Sequence, residues 1–178
     1  MQRMADVDPS TAVKPTSEAT FADLLKPLIE PGFRLALAML HDAQAAEDAV
    51  QEASFTAWRK LGRVRDRNRL RPWFLGVVAN KCRNARRTKW TSDVSTGLPE
   101  HLSVVSSEES ILRGADLRRA IFRLGHDDRL VVVLYFYLDL PVDEVATVAG
   151  RSVGATRARL YRAIKKLHPE VAIEEALR

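Results

Sequence analysis

Between Val142 and Leu167 a short helical period, a glycine, a serine and a longer helical period follow one another without interruption. Val145, Ala146 and Val148 mark the inner side of an eight-residue helix, Gly150 suits a turn that needs positive φ, and Ser152 stands where the next helix needs an N-cap. In that second helix Val153, Thr156, Leu160, Ile164 and Leu167 recur on one face, Ala155, Arg159, Arg162 and Lys166 fall on the outer one, and Pro169 closes it. This is the layout of a helix-turn-helix. Gly154, Ala155 and Ala158 are small enough for a close backbone approach to DNA, with Arg157, Arg159 and Arg162 able to reach base edges or phosphates. An ordinary helical hairpin with a basic solvent face fits the same spacing.

The rest of the chain follows the helical period too. Phe21, Leu24, Leu25, Leu28 and Ile29 share a face until Pro31-Gly32 interrupts it, and a second short helix is expected over Phe33 to Leu40. Asp42 caps a third helix in which Ala46, Val50, Ala53, Ala57 and Leu61 recur. Arg63 to Arg71 reads as a surface loop, and Pro72 suits the first turn of a fourth helix with an apolar stripe of Phe74, Val77, Val78, Cys82 and Ala85. Ser106 to Glu109 fits a capping box, and helices are expected over Ile111 to Leu124, Asp127 to Leu138, Val142 to Ala149 and Val153 to His168. Leu130 to Leu138 is rich in strand formers, but a lone strand has no partner, so an all-round apolar, buried helix is expected. The fold class is all-α: two small helical domains joined by a flexible linker. The expected division is a mobile tail over 1–19, a first domain over 20–90, a Ser/Thr-rich linker over 91–107, a second domain over 108–170 and a tail over 171–178.

Charge is segregated along this chain. Met1 to Trp58 carries 4 basic and 9 acidic residues, Arg59 to Trp90 carries 12 against 1, Thr91 to Gly150 carries 5 against 10, and Arg151 to Arg178 carries 7 against 3. Two basic blocks separated by acidic ones point to two polyanion contacts, since clustered Lys and Arg displace counterions from a phosphate backbone; a solvated basic surface is the plainer alternative. The acidic blocks then call for a different, basic protein partner.

Several function classes are excluded or disfavoured. The single cysteine, Cys82, can form no intramolecular disulfide and no thiolate zinc site, and His41, His101, His126 and His168 are scattered, so no metal, cofactor or catalytic constellation is expected. The acidic, proline-containing N-terminus is unlike a signal peptide, and no apolar run has the length of a membrane span. A cytoplasmic, non-enzymatic protein without membrane insertion is expected.

Leu140 to Ala163, with its Ser152-Val153-Gly154, Arg159-Leu160 and Arg162-Ala163, resembles the region 4 helix-turn-helix of bacterial sigma factors. Ala45 to Trp58 resembles region 2.2, and Pro72 to Asn80 followed by Asn84, Arg86 and Arg87 resembles regions 2.3 and 2.4. The order of motifs, over about Phe21 to Leu167, is similar to the minimal sigma factors called extracytoplasmic-function (ECF) sigma factors. The chain departs from the usual family pattern at Ser54, Asn84, Pro141 and Ala155-Thr156.

That resemblance implies a sigma factor that binds core RNA polymerase, with region 2 on the beta-prime clamp helices and region 4 at the beta flap, and directs initiation at promoter DNA. It implies a polymerase-docking face of Glu47, Asp48, Gln51, Glu52 and Phe55. Arg63, Arg65, Arg67, Arg69, Asn80, Arg83, Arg86 and Arg87 would bind and melt the -10 element, while Trp73 would either stack on DNA or belong to the core. Ser152, Gly154, Ala155, Arg157, Ala158, Arg159, Arg162 and Lys166 would read the -35 element in the major groove. An anti-sigma factor is the expected inhibitor. A stand-alone helix-turn-helix regulator is the alternative; it leaves the acidic helix and the first basic block without a task.

Overall fold

The computed structural model describes residues 18–60, 66–89 and 117–167, and every regular element among them is helical. The first half contains α1 (Glu18–Leu40), α2 (Ala43–Lys60), a 3-10 turn (Arg67–Arg69) and α3 (Leu70–Lys89). The second contains helical residues 117–123 (α4), α5 (His126–Val132) running into a π turn (Val133–Tyr137), α6 (Val142–Ala149) and α7 (Val153–Leu167). The expected linker, the Ser106 to Glu109 capping box and both expected tails lie outside the described residues, apart from the start of α1.

Three elements correct the expectations from sequence. Pro31 does not end a helix: α1 runs through both Pro27 and Pro31. Each proline removes one backbone donor, but Leu28, Leu35, Ala36 and Met39 are buried along the same helix, and that apolar burial outweighs the missing bonds. Gly32 takes part in this packing, since a Cβ there would stand 3.0 Å from the Phe74 ring. Second, the loop expected to reach Arg71 gives way to a 3-10 turn over Arg67–Arg69 and to α3 from Leu70, with Pro72 in the first turn as expected, where its missing N–H costs nothing. Third, the apolar run after Val132 widens into the π turn, in which Leu138 N–H donates to Val133 O at 3.0 Å. The extra residue rotates the face, so that Val133 and Leu134 are buried while Phe136 and Tyr137 are each 49% exposed, contrary to an all-round buried helix.

The helix ends follow the residues that cap them. His41 leaves α1 at φ 59°, and Asp42 Oδ1 accepts the Ala45 N–H at 3.0 Å to start α2. Gly150 ends α6 at φ 65°, with Gly150 N–H donating to Thr147 O at 3.2 Å and Arg151 N–H to Ala146 O at 2.9 Å, the two bonds of a Schellman turn. Ser152 Oγ then accepts the Ala155 N–H at 3.2 Å, as its N-cap position predicts. Pro141 occupies the corresponding position before α6 and supplies no side-chain cap.

α1, α2 and α3 pack as a three-helix unit, while α5, α6 and α7 surround a second centre. The two halves touch through α3 and α6, and one contiguous set of buried side chains runs from Leu35, Phe74 and Leu75 to Leu134, Val145 and Leu160. Gly76 faces the Val148 backbone, where a Cβ would lie 3.9 Å from Val148 Cα. Arg71 Nη2 donates to Leu138 O at 2.6 Å across the same boundary. Arg129, 6% exposed, donates to the carbonyls of Ile121 (3.3 Å), Leu124 (3.0 Å), Phe122 and, in the other half, Met39 (3.4 Å), and to the ring of His41. Burial, then the Arg129 and Arg86 charges, lower the His41 pKa to about 4, so at neutral pH its Nε2 is an acceptor for that guanidinium.

Candidate polymerase and nucleic-acid interfaces

The α2 helix buries Ala46, Ala49, Val50, Ala53 and Ala57, small side chains that bring it close against α1 and α3. The opposite sector carries Glu47, Asp48, Gln51, Glu52 and Phe55, all exposed, so all five expected docking residues share one surface. Phe55 is 63% exposed with the Arg59 guanidinium 5.8 Å from its ring centre. Glu52 Oε2 pairs with Lys81 Nζ of α3 at 3.0 Å, and Asp48 Oδ1 accepts from Gln44 at 3.5 Å. Ser54 turns its hydroxyl back to Val50 O at 2.8 Å and so satisfies itself within the helix.

On α3 the core side is wider than the expected stripe, with Phe74, Leu75, Val78, Ala79 and Cys82 buried. Burial pushes the Cys82 thiol up to about 12, which makes it an inert packing group. Asn80, Arg83, Arg86 and Arg87 are exposed, and Asn80 Oδ1 accepts from Arg83 Nη1 at 2.5 Å. Trp73 is half-buried and faces an open cleft of about 870 Å³ whose walls include Arg69, Asn80 and Arg83 on one side and the α6 end, Thr147 to Gly150, on the other. It packs against the core and also lines the cleft. Arg69 is exposed beside Asp66, 3.7 Å away. Arg63 and Arg65 lie outside the described residues, as does the Arg67 side chain.

On α7 the outward surface is formed by Gly154, Ala155, Arg157, Ala158 and Arg162, with Ser152 exposed at the helix start. Tyr161, 47% exposed, and Lys165 share it, and neither was singled out from the helical pattern. Thr156 is fully buried and its hydroxyl donates to Ser152 O at 3.0 Å. Val153, expected on the inner face, is 39% exposed. Arg159 is half-buried and Lys166 exposed, and both are engaged by one acid. Arg159 Nη1 donates to Asp128 Oδ1 at 2.7 Å, and Lys166 Nζ to Asp128 Oδ2 at 2.7 Å. Arg151 Nη2 in the turn donates to Asp127 Oδ2 at 2.6 Å. Burial pulls the Asp127 pKa upward, but the hydrogen bond from Arg151 and the Arg159 charge outweigh it and hold the carboxyl below its usual range.

Among the described residues no group of His, Cys, Asp and Glu could hold a metal ion, and no helix is long and apolar enough to cross a membrane. Residues 25–91 match the family model for Sigma-70 region 2, and residues 115–167 match that for Sigma-70, region 4. Over 143 residues the chain is 32% identical to the RNA polymerase sigma-H factor of Pseudomonas aeruginosa, covering 72% of this chain and 74% of that one. It is 28% identical to the ECF RNA polymerase sigma-E factor of Escherichia coli over 138 residues, 70% of this chain and 72% of that one. The sigma factor RpoE of Bartonella quintana, solved in complex with the anti-sigma factor NepR, has the same fold, with a TM-score of 0.69 at 18% identity over 84% of this chain and 94% of that one. Both regions occur in order and a relative of this similarity spans them: the chain belongs to the sigma-70 family of RNA polymerase sigma factors, in its ECF group.

Proposed function

We propose that this chain docks on core RNA polymerase through the α2 face of Glu47, Asp48, Gln51, Glu52 and Phe55 and directs initiation by holding promoter DNA at two places. Region 2, within 20–90, takes the -10 element on the α3 face of Asn80, Arg83, Arg86 and Arg87 together with the arginines of the preceding loop. Region 4, within 108–170, lays the start of α7 in the major groove of the -35 element. The observation that carries this reading is the pair of exposed faces on neighbouring helices, acidic on α2 and basic on α3, within one packed three-helix unit. A basic polymerase surface and a melted DNA strand are complementary to such a pair, and joining the two faces delivers the strand to the enzyme. The beta-prime clamp helices and the beta flap are the polymerase contacts we assign, an anti-sigma protein is the inhibitor we assign, and work at RNA polymerase places the chain in the cytoplasm.

The test is run-off transcription with core polymerase on pooled genomic template from the source organism. Discrete new transcripts are expected with the parent chain and at least a tenfold loss with Asp48→Arg, since reversing a charge in a docking face sets like charges together. Duplex DNA binding with no affinity for core polymerase would replace this function with that of a stand-alone regulator.

A further inference from the structure

Asp128 stands at the start of α5 and is 7% exposed, yet both of its carboxylate oxygens are taken by cations of α7. Arg159 and Lys166 are seven residues apart, two turns of helix, so they emerge on one flank of α7 and converge on this one acid. Asp127 beside it takes Arg151 from the turn at 2.6 Å and lies 3.8 Å from Arg159. Exposed ion pairs are worth little, because solvent screens them and the side chains lose freedom. The Asp128 pairs differ on the acid's side: the carboxylate is shielded and accepts two charge-assisted bonds, one from the partly buried Arg159 and one from Lys166, whose own side chain is 60% exposed, so parting both leaves a buried charge behind.

Resting on the assignment of α7 as the -35 reader, we propose that Asp128 is a positioning and specificity-determining residue of that reading. It stands in for a DNA phosphate, withdraws Arg159 and Lys166 from sequence-independent backbone binding, and fixes the rotation of α7 about its own axis. Ala155, Arg157, Ala158 and Arg162 then face outward together with Tyr161 and Lys165. Each cation that neutralises a phosphate adds affinity for every sequence alike and steepens the salt dependence. Holding two of them on an internal carboxylate lowers that indiscriminate affinity while base-edge contacts are kept.

The full chain is titrated by fluorescence anisotropy against a mixed-sequence duplex of roughly 30 base pairs between roughly 50 and 300 mM KCl, and against a duplex carrying a promoter found by the run-off assay. With Asp128→Asn, the slope of log K against log salt is expected to steepen by up to about 1.8, two phosphates' worth, with tighter mixed-sequence binding and a smaller ratio of promoter to mixed-sequence affinity. Adding Lys166→Gln to that variant is expected to return about 0.9 of the slope. Asp128→Glu keeps the charge and is expected to restore the parental ratio. Asp127→Asn, at a more exposed acid, is expected to steepen the slope by about 0.9 through Arg151 and serves where Asp128→Asn does not fold by circular dichroism. Equal slopes and equal affinity ratios for the parent and the folded variants would overturn the proposal. Failure of the parent chain to bind core polymerase would overturn the proposed docking function alone, because the slopes are read on DNA without polymerase.

Discussion

The two basic faces of this protein are built differently. On α3, Asn80, Arg83, Arg86 and Arg87 stand exposed on one side, and the one bond described among them joins Arg83 to Asn80. On α7, Arg157 and Arg162 are exposed while Arg159 and Lys166 are drawn onto Asp128 of a neighbouring helix. A face meant for a melted strand gains from unencumbered positive charge, since stacking and phosphate contact tolerate any register. A face meant for base edges in a duplex gains from having its surplus charge held back. On the proposed function the same residue type does opposite work in the two halves, because Asp128 draws two of the α7 cations onto itself.

The comparison can be broken most severely by removing the guanidinium that joins the halves. Arg129→Ala leaves the carbonyls of Ile121, Phe122, Leu124 and Met39 without this donor and is expected to cost about 3 kcal/mol in urea unfolding, with both halves affected in one transition. The double reversal Arg86→Glu with Arg87→Glu, on the open face, is expected to lower run-off transcription at least tenfold while thermal stability stays within about 0.5 kcal/mol. An equal effect on stability would mean that this face is as internally committed as that of α7.

Acid sharpens the comparison at the boundary. His41 has a pKa of about 4 in the folded protein against an ordinary value near 6.5, so between those limits the unfolded chain binds more protons and stability rises with pH. Stability is unaffected by this group above pH 6.5 and is lost as pH falls towards 4, by about 1–2 kcal/mol once solvent screening at this half-exposed ring is allowed for. His126, also lowered by burial and by Arg86 and Arg83, acts in the same direction. His41→Asn, which tolerates the positive φ, is expected to flatten part of the pH profile of Tm. The smallest effect expected is that of Gly150→Ala: at φ 65° a methyl group costs about 1 kcal/mol, confined to the turn between α6 and α7.

The α6 turn and α7 were legible in the sequence because their signals are local. Gly150 and Ser152 dictate their own backbone, and their bonds reach no further than one helical turn. The acidic face on α2 was legible for a similar reason, as the alanine spacing orients the helix without reference to its neighbours. What the sequence hid depends on contacts far along the chain. Pro31 reads locally as a break, and the packing that carries the helix past it comes from Phe74, more than forty residues on, against Gly32. A helical wheel put Arg159 and Lys166 with the outward cations, and only α5 shows that this flank has a partner, 31 and 38 residues back in the sequence. The π turn left no mark in the apolar run, because Val133 to Tyr137 suits an α-helix equally by composition.

The contact between α3 and α6 has a consequence of scale. The -10 and -35 elements, by their own numbering, lie some 25 base pairs apart, about 85 Å along a duplex at 3.4 Å per step. Here the helix assigned to the first element packs directly on the helix-turn-helix assigned to the second, with Gly76 against the Val148 backbone. A ruler folded at its hinge cannot measure its full length. On the proposed function, both elements are spanned only after Val145, Val148 and the cleft wall of α3 have parted, so the apolar surface buried between the halves sets a threshold that promoter and polymerase together must exceed.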